Sequence, residues 1–179
     1  LVPAFSQVLP REVVLQSRFS RNIIVNSPVV SSAMDTVTEH RLAIAIARMG
    51  GVGVIHKNLS IEEQCLEIKK VKTQETPSTS KEVEHHSSNF DQRGRLLVGA
   101  ALGVSPELME RAEALVSHEV DFFCLDSSHG HSLGVIQSIK DLKKRFPSVP
   151  LLAGNVATYE GAKALIEAGA DCIKIGIGP

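Results

Sequence analysis

The chain has 179 residues, of which 43% are hydrophobic and 22% charged, a composition typical of a folded domain rather than a disordered segment. Its formal net charge of −1 gives no global preference for nucleic acid or for an anionic membrane surface. Three cysteines without CxxC spacing predict reduced thiols in a cytoplasmic setting, and no apolar run reaches the ~20 residues of a membrane-spanning helix.

The first part of the chain predicts two strands, each followed by a helix. Residues 1–24 contain two prolines and no sustained period, so we expect an irregular arm or a short hairpin there. The helix predicted at 39–49 repeats its apolar residues at i, i+3, i+4 and i+7. The next helix, which ends near Lys72, opens with Ser60 and Glu63 at the spacing of a capping box.

A polar stretch at 73–95, interrupted by Pro77, predicts a linker that divides the chain into 1–72 and 96–179. The second part continues the order of strand and helix. Its first helix is predicted to start at Ser105-Pro106, an N-cap followed by a first-turn proline. The whole chain predicts five helices between six strands, near residues 29–32, 52–55, 96–101, 121–125, 150–154 and 172–176.

This alternation predicts an α/β fold with a parallel sheet. It fits either a (β/α)8 TIM barrel, of which the chain would hold about the first six strands, or a doubly wound open sheet. In both folds, ligands bind beyond the carboxyl ends of the strands. The chain begins at Leu1 and stops in the turn Gly178-Pro179, so we expect it to be a piece of a longer protein.

Polar residues or glycines follow the predicted strands. Each has an ordinary explanation by itself, because loops are polar, glycines serve turns, and Asp126 or Ser127 could cap the next helix. Their joint placement at the strand ends predicts a binding site. The segments are Ser32-Ala33-Met34-Asp35, His56-Lys57-Asn58, Asp126-Ser127-Ser128, Gly154-Asn155 and Gly176-Ile177-Gly178.

The chemistry of these residues suits a nucleotide. The carboxylate of Asp126 could hold a ribose diol, and Ser127 and Ser128 add hydroxyl donors. Asn155 offers a donor and an acceptor to a sugar hydroxyl or a base edge. A glycine such as Gly178 lets the backbone approach a ligand closely, and its carbonyl could bind a cation.

The chain contains no convincing nucleophile or metal centre by sequence. Cys65 is predicted on a helix face and Cys124 and Cys172 within strands, so all three are expected to act as small core hydrophobes. His129 and His131 could form a metal pair, but no third ligand follows at a suitable spacing.

Five motifs, in order and over nearly the whole chain, resemble the IMP dehydrogenase / GMP reductase family. They are Ser31-Ser32-Ala33-Met34-Asp35-Thr36-Val37-Thr38-Glu39, Gly51-Val52-Gly53-Val54-Ile55-His56-Lys57-Asn58, Asp126-Ser127-Ser128-His129-Gly130, Gly154-Asn155-Val156 and Lys174-Ile175-Gly176-Ile177-Gly178-Pro179. The resemblance implies part of a TIM-barrel oxidoreductase. The complete enzyme would oxidise IMP to xanthosine 5′-monophosphate with NAD, the committed step of guanine nucleotide synthesis. It would do so as a cytoplasmic homotetramer that needs potassium, without a membrane or nucleic-acid partner.

Carried over motif by motif, the resemblance also implies roles for single residues. The substrate IMP would contact Ser32, Met34, Asn155 and Lys174. The cofactor NAD would contact Asp126, Ser127, Ser128, Gly176, Ile177 and Gly178, with the Gly178 carbonyl as a potassium ligand. The family's nucleophilic cysteine, which attacks C2 of the purine, would lie just after Pro179. We therefore expect no catalytic residue in this chain and no activity from the chain alone.

Three alternatives remain at this point. GMP reductase shares the barrel and the GIGP turn but uses NADPH; the segments Asp126-Ser127-Ser128 and His56-Lys57-Asn58 favour the dehydrogenase. A noncatalytic half-barrel could self-associate through its open edges. A flavin or phosphosugar barrel rests on fold analogy alone. Most family members carry two CBS regulatory modules where this chain has 73–95, which is too short for one, so regulation through them is not predicted.

Overall fold

The computed structural model describes residues 4–74 and 88–177, so most of the predicted linker and Gly178 lie outside the described residues. Its elements are a 3-10 helix at Pro10–Glu12, β1 at Ser17–Arg18, β2 at Ile24–Val25, α1 at His40–Arg48, β3 at Gly53–Ile55, α2 at Ile61–Lys72, β4 at Val98–Leu102, α3 at Leu108–Ser117, β5 at Phe122–Asp126, α4 at Leu133–Arg145, β6 at Leu151–Val156, α5 at Tyr159–Ala168 and β7 at Cys172–Ile175. Within these ranges, no helix has both the length and the apolar composition that crossing a membrane requires.

Strands β3 to β7 form one parallel sheet in chain order, which confirms the predicted α/β class. Each of these strands is joined to the next by a helix. The separate antiparallel pair β1–β2 confirms the short hairpin that was one of the two predictions for the N-terminal arm. Because all five strands are parallel, the carboxyl ends of β3 to β7 lie at one edge of the sheet.

The two faces of the sheet pack against different partners. Helices α1 to α5 share one hydrophobic cluster with alternate strand residues such as Ala100 and Phe123. The intervening strand residues, such as Ala101 and Cys124, form a second cluster with Phe19 and other residues of the hairpin region. Helices on a single face are typical of a barrel wall, whereas a doubly wound sheet carries helices on both faces. The described residues therefore favour the barrel over the open sheet.

On the face of the sheet opposite the helices, which we call the inner face, two aromatic rings pack together in space left by a glycine. A Cβ placed on Gly99 of β4 would lie only 2.3 Å from Cζ of Phe122, so the glycine makes room for that ring. The ring of Phe19 packs edge-on against Phe122, with 4.8 Å between the centroids. The hairpin region is thereby held against the inner face of the sheet.

The predicted first strand at 29–32 is wrong in length. It is present as a single parallel bridge between Val30 and Val52. Backbone bonds from Ser31 N to Val52 O (3.1 Å) and from Val52 N to Val29 O (3.0 Å) hold it beside β3. The next strand amide, that of Val54, donates to the hydroxyl of Ser31 at 2.9 Å instead of to a carbonyl, and the ladder ends there.

The two predicted helix starts have different outcomes. The capping box is confirmed, because the Ser60 hydroxyl accepts from Glu63 N at 3.1 Å and the Glu63 carboxylate accepts from Ser60 N at 2.9 Å. The N-cap at Ser105 is wrong. Helix α3 begins at Leu108, and a backbone bond from Leu108 N to Ser105 O (3.1 Å) closes a turn before it.

At the amino ends of the strands, two aspartates hold neighbouring strands together in the same way. Asp121, directly before β5, accepts from the amide of Val98 in β4 at 2.7 Å and from Nζ of Lys72 at 2.6 Å. Asp171, directly before β7, repeats this arrangement with the first amide of β6 at 2.9 Å and with Nζ of Lys143 at 2.8 Å. This end of the sheet is occupied by structural ion pairs.

The same network predicts a loss of stability in acid. Burial alone would raise the pKa of Asp91, but hydrogen bonds from the Arg95 backbone and from Lys72 outweigh it and bring the pKa to about 2. An unfolded aspartate has a pKa of about 3.9, so this group stabilises the fold above pH ~4 and its contribution is lost as the pH falls towards 2. In urea unfolding of the full-length protein, we expect the free energy of unfolding to fall over this window less steeply in Asp91→Asn than in the wild type. Equal slopes would contradict the assignment.

Candidate functional site

Three of the predicted segments meet at the carboxyl edge of the sheet. Ser127 N donates to Gly154 O at 2.9 Å, and Asn155 N donates to Ser127 O at 2.6 Å. The side-chain amide of Asn155 donates to Gly176 O at 2.7 Å. The loops after β5, β6 and β7 therefore form one hydrogen-bonded surface, as their common position at the strand ends predicted.

The centre of this surface is an ion pair between Asp126 and Lys174. Nζ of Lys174 lies 2.7 Å from Oδ1 of Asp126, and Nζ of Lys57 donates to the Asp126 carbonyl at 2.6 Å. A Cβ on Gly154 would lie 2.7 Å from Cβ of Lys174, so this glycine allows β7 to approach β6 closely. The Asp126 side chain remains 25% exposed. Lys174 holds the carboxylate and Lys57 holds the backbone carbonyl of the same residue, and the carboxylate is still accessible to a ligand.

Helix capping does not explain the polar residues after β5. The N-cap of α4 is Ser132, whose hydroxyl accepts from Val135 N at 3.4 Å. Asp126 bonds Lys174 instead, and the Ser127 hydroxyl accepts from His129 N at 3.2 Å within its own turn. The ordinary explanation for Asp126 and Ser127 as caps is therefore wrong, which strengthens their interpretation as site residues.

The ion pair joins two cavities, because Asp126 lines one and Lys174 lines the other. The larger cavity, of about 650 Å³, is lined by Lys57, Asn58, Gly103, Val104, Ser105, Arg111, Asp126, Ser127 and Ser128. The smaller cavity, of about 240 Å³, is lined by Phe19, Val30, Ser31, Ser32, Ala33, Val54, Cys124, Leu152, Cys172, Ile173 and Lys174. The lining of the first includes three of the six residues predicted to hold a cofactor, and that of the second includes two of the four predicted to hold a substrate.

The thiols of the smaller cavity are held in the neutral form. Burial raises the pKa of Cys124 to about 12, and burial also raises the pKa of Cys172. A neutral thiol is a poor nucleophile at neutral pH. Cys65 and Cys124 are buried, as predicted for core hydrophobes, whereas Cys172 is half-buried.

Met34 and Ile177 are not brought into the hydrogen-bonded centre of the site. Met34 is 56% exposed in the loop before α1, and Ile177 is also exposed after β7. Gly178, the predicted potassium ligand, lies outside the described residues. Among residues 4–74 and 88–177, no group of three His, Cys, Asp or Glu side chains is arranged to hold a metal ion.

Sequence reasoning missed a buried polar chain behind the larger cavity. Gln64 of α2 is fully buried, and its amide donates to Ala101 O at 2.9 Å and to His56 O at 3.0 Å. Nη1 of Arg111 donates to the side-chain oxygen of Gln64 at 3.0 Å. A glutamine on the apolar face of α2 was the available signal, whereas nothing in the local sequence distinguishes Arg111 from a surface arginine.

Comparison with known proteins identifies the family of the whole chain. A domain model described as IMP dehydrogenase / GMP reductase matches residues 1–179. Inosine-5′-monophosphate dehydrogenase of Borreliella burgdorferi is 44% identical over 100% of this chain and 52% of its own length. The protein of that name from Cryptosporidium parvum is also 44% identical, over 100% of this chain and 50% of its own, and the one from Staphylococcus saprophyticus is 34% identical, over 100% and 59%. The chain spans about half the length of the relatives it matches.

Proposed function

The chain belongs to the IMP dehydrogenase / GMP reductase family, and from that premise we propose that the complete protein oxidises IMP to xanthosine 5′-monophosphate with NAD. The family domain is a TIM barrel, of which this chain covers part, in agreement with helices on one face of the sheet. The observation that carries the proposal is 44% identity, over the entire chain, to two proteins named IMP dehydrogenase.

We assign IMP to the smaller cavity and NAD to the larger one. Ser32 and Lys174 line the smaller cavity. Asn155 and Met34 would contact IMP beside them, as the family resemblance implies. Asp126, Ser127 and Ser128 line the larger cavity, where an accessible carboxylate suits a ribose diol. Gly176 and Ile177 would flank the nicotinamide, which supplies the hydride acceptor when NAD is bound. The ion pair shared by the two cavities supports this assignment, because hydride transfer requires neighbouring sites.

The remaining features of the proposal come from the family. Potassium would be bound by the Gly178 carbonyl, and the nucleophilic cysteine would come from the part of the protein that follows Pro179. The homotetramer is likewise proposed from the family. Three free cysteines support a reducing, cytoplasmic setting.

Two separate assays on the same protein test the proposal. Purified full-length protein is given IMP with NAD, and separately GMP with NADPH, and the near-ultraviolet absorbance of the reduced nicotinamide is followed. We expect NAD reduction that depends on IMP, and no NADPH oxidation with GMP. NADPH oxidation that depends on GMP, without the first reaction, would replace the dehydrogenase with the reductase.

A further inference from the structure

His56, directly after β3, is a buried histidine whose ring nitrogens have different surroundings. Nδ1 accepts a hydrogen bond from Asn58 N at 3.2 Å, which assigns the proton of the neutral ring to Nε2. Nε2 is buried and has no hydrogen-bond partner among the described residues. A buried donor without an acceptor is costly, so a nearby acceptor is expected. Oε1 of Glu39 lies 3.7 Å from Nε2.

The carboxylate of Glu39 is free to serve this donor. Glu39 occupies the N-cap position of α1, but its side chain makes no capping hydrogen bond. The side chain is 52% exposed, so it can change rotamer without moving the core. A shift of less than about 1 Å would bring its oxygen within hydrogen-bond distance of Nε2.

Residues 56–58 hold the loop before α1 at both ends. The side-chain amide of Asn58 donates to Oδ2 of Asp35 at 3.1 Å, and His56 N donates to Thr38 O at 3.4 Å. Between these points Thr36 has a φ of 58°, which is rare for a β-branched residue. Such a conformation persists only where surrounding contacts hold it.

This loop leads directly to the smaller cavity. The hydroxyl of Thr38 donates to the carbonyl of Ser32 at 2.5 Å, and Ser32 lines that cavity. Thr38 is itself fully buried, and its carbonyl accepts the hydrogen bond from His56 N. The position of Ser32 is therefore coupled through Thr38 to the backbone amide of His56, and the ring of the same residue bonds Asn58 N and lies near Glu39, the residue after Thr38.

We propose that His56 is a positioning residue, whose ring bridges Asn58 and Glu39 and thereby fixes residues 32–39 so that Ser32 faces the smaller cavity. The identity of the ligand in that cavity, IMP, rests on the proposed function. The bridging role rests on the contacts of His56 alone. His56 acts through the loop and does not itself contact the substrate.

Hydrogen exchange of the ligand-free, full-length protein tests the bridge. In His56→Ala, we expect the peptides covering 32–39 to exchange about tenfold faster, while those covering α4 and α5 are unchanged. His56→Asn keeps an amide near the position of Nδ1 and His56→Gln keeps one near Nε2, so each should show a smaller increase. His118→Ala is the matched control, because His118 is exposed and its ring contacts a carbonyl of its own helix. Unchanged exchange at 32–39, or a uniform rise that includes α4 and α5, would overturn the proposal.

Steady-state kinetics of the same variants tests the positioning. In His56→Ala, we expect the KM for IMP to rise about tenfold, with kcat and the KM for NAD within about twofold of the wild type. A loosened loop with an unchanged KM for IMP would overturn the positioning role. A wild-type protein that does not oxidise IMP would remove the proposed function, and hydrogen exchange would then still decide whether His56 holds the loop.

Discussion

Replacing Asp121 with alanine is expected to lower the free energy of unfolding of the full-length protein by about 3–5 kcal/mol. The carboxylate accepts from Nζ of Lys72 at 2.6 Å and from the amide of Val98 at 2.7 Å. The side chain of Lys72 is only 4% exposed, so the substitution leaves a buried ammonium with one of its two carboxylate partners removed. The Asp121 side chain is only 12% exposed, and its burial raises the pKa of the carboxyl against the opposing effect of Lys72. Urea unfolding followed by circular dichroism measures the loss.

Two further variants isolate the reason for this loss. Glu113→Ala removes a carboxylate whose bond to Arg145 has the same kind of geometry, 3.0 Å, but lies in solvent, so we expect a loss below about 1 kcal/mol. Asp121→Asn keeps an acceptor for the Val98 amide and should fall between the two. An equally small loss in Asp121→Ala and Glu113→Ala would contradict the burial of the Lys72 network.

The order of helices and strands was predictable because each unit carries local signals. The capping box at Ser60 and Glu63 is one example, since both partners lie within one helical turn. The signal at Ser105-Pro106 marked where the chain turns towards α3, but the helix begins at Leu108, two positions after the predicted first helical residue Pro106. A cap preference states which residues suit a helix start, and tertiary contacts decide where the helix begins.

Strand pairing was less predictable than strand position. Residues 29–32 lie beside β3, as expected, yet the Ser31 hydroxyl takes the place of a backbone acceptor and limits the pairing to one bridge. The choice between barrel and open sheet was also beyond the sequence. Strands buried on both faces are apolar throughout, so their pattern does not say which face the helices cover.

The sequence predicted where the site lies, but it did not predict which side chains of the site bond to one another. The placement of Asp126, Asn155 and Gly176 at one edge follows from parallel strands alone. The bond between Asp126 and Lys174 joins residues 48 positions apart, and only the folded register brings them together. Likewise, no local pattern shows that one nitrogen of His56 is satisfied and the other is not.

Replacing Asp126 with alanine is expected to lower kcat/KM for NAD in the full-length enzyme by at least about a hundredfold. Under the proposed function, the carboxylate accepts hydrogen bonds from both hydroxyls of a ribose diol. Each bond to a charged group contributes about 1.5–3 kcal/mol, and about 1.4 kcal/mol corresponds to a tenfold change. Initial rates over a range of NAD concentrations at saturating IMP measure the effect. Asp141→Ala removes an exposed carboxylate from α4 and should leave these rates unchanged.

The ion pair makes Lys174 the decisive comparison for this assignment. If Lys174 serves the substrate, Lys174→Met should raise the KM for IMP more than the KM for NAD. Because the ammonium lies 2.7 Å from the Asp126 carboxylate, the two substitutions should be non-additive, and the double variant should lose less than the sum of the single losses. A loss in Lys174→Met confined to NAD would mean that the lysine acts by orienting Asp126, and would move Lys174 from the substrate side of the site to the cofactor side.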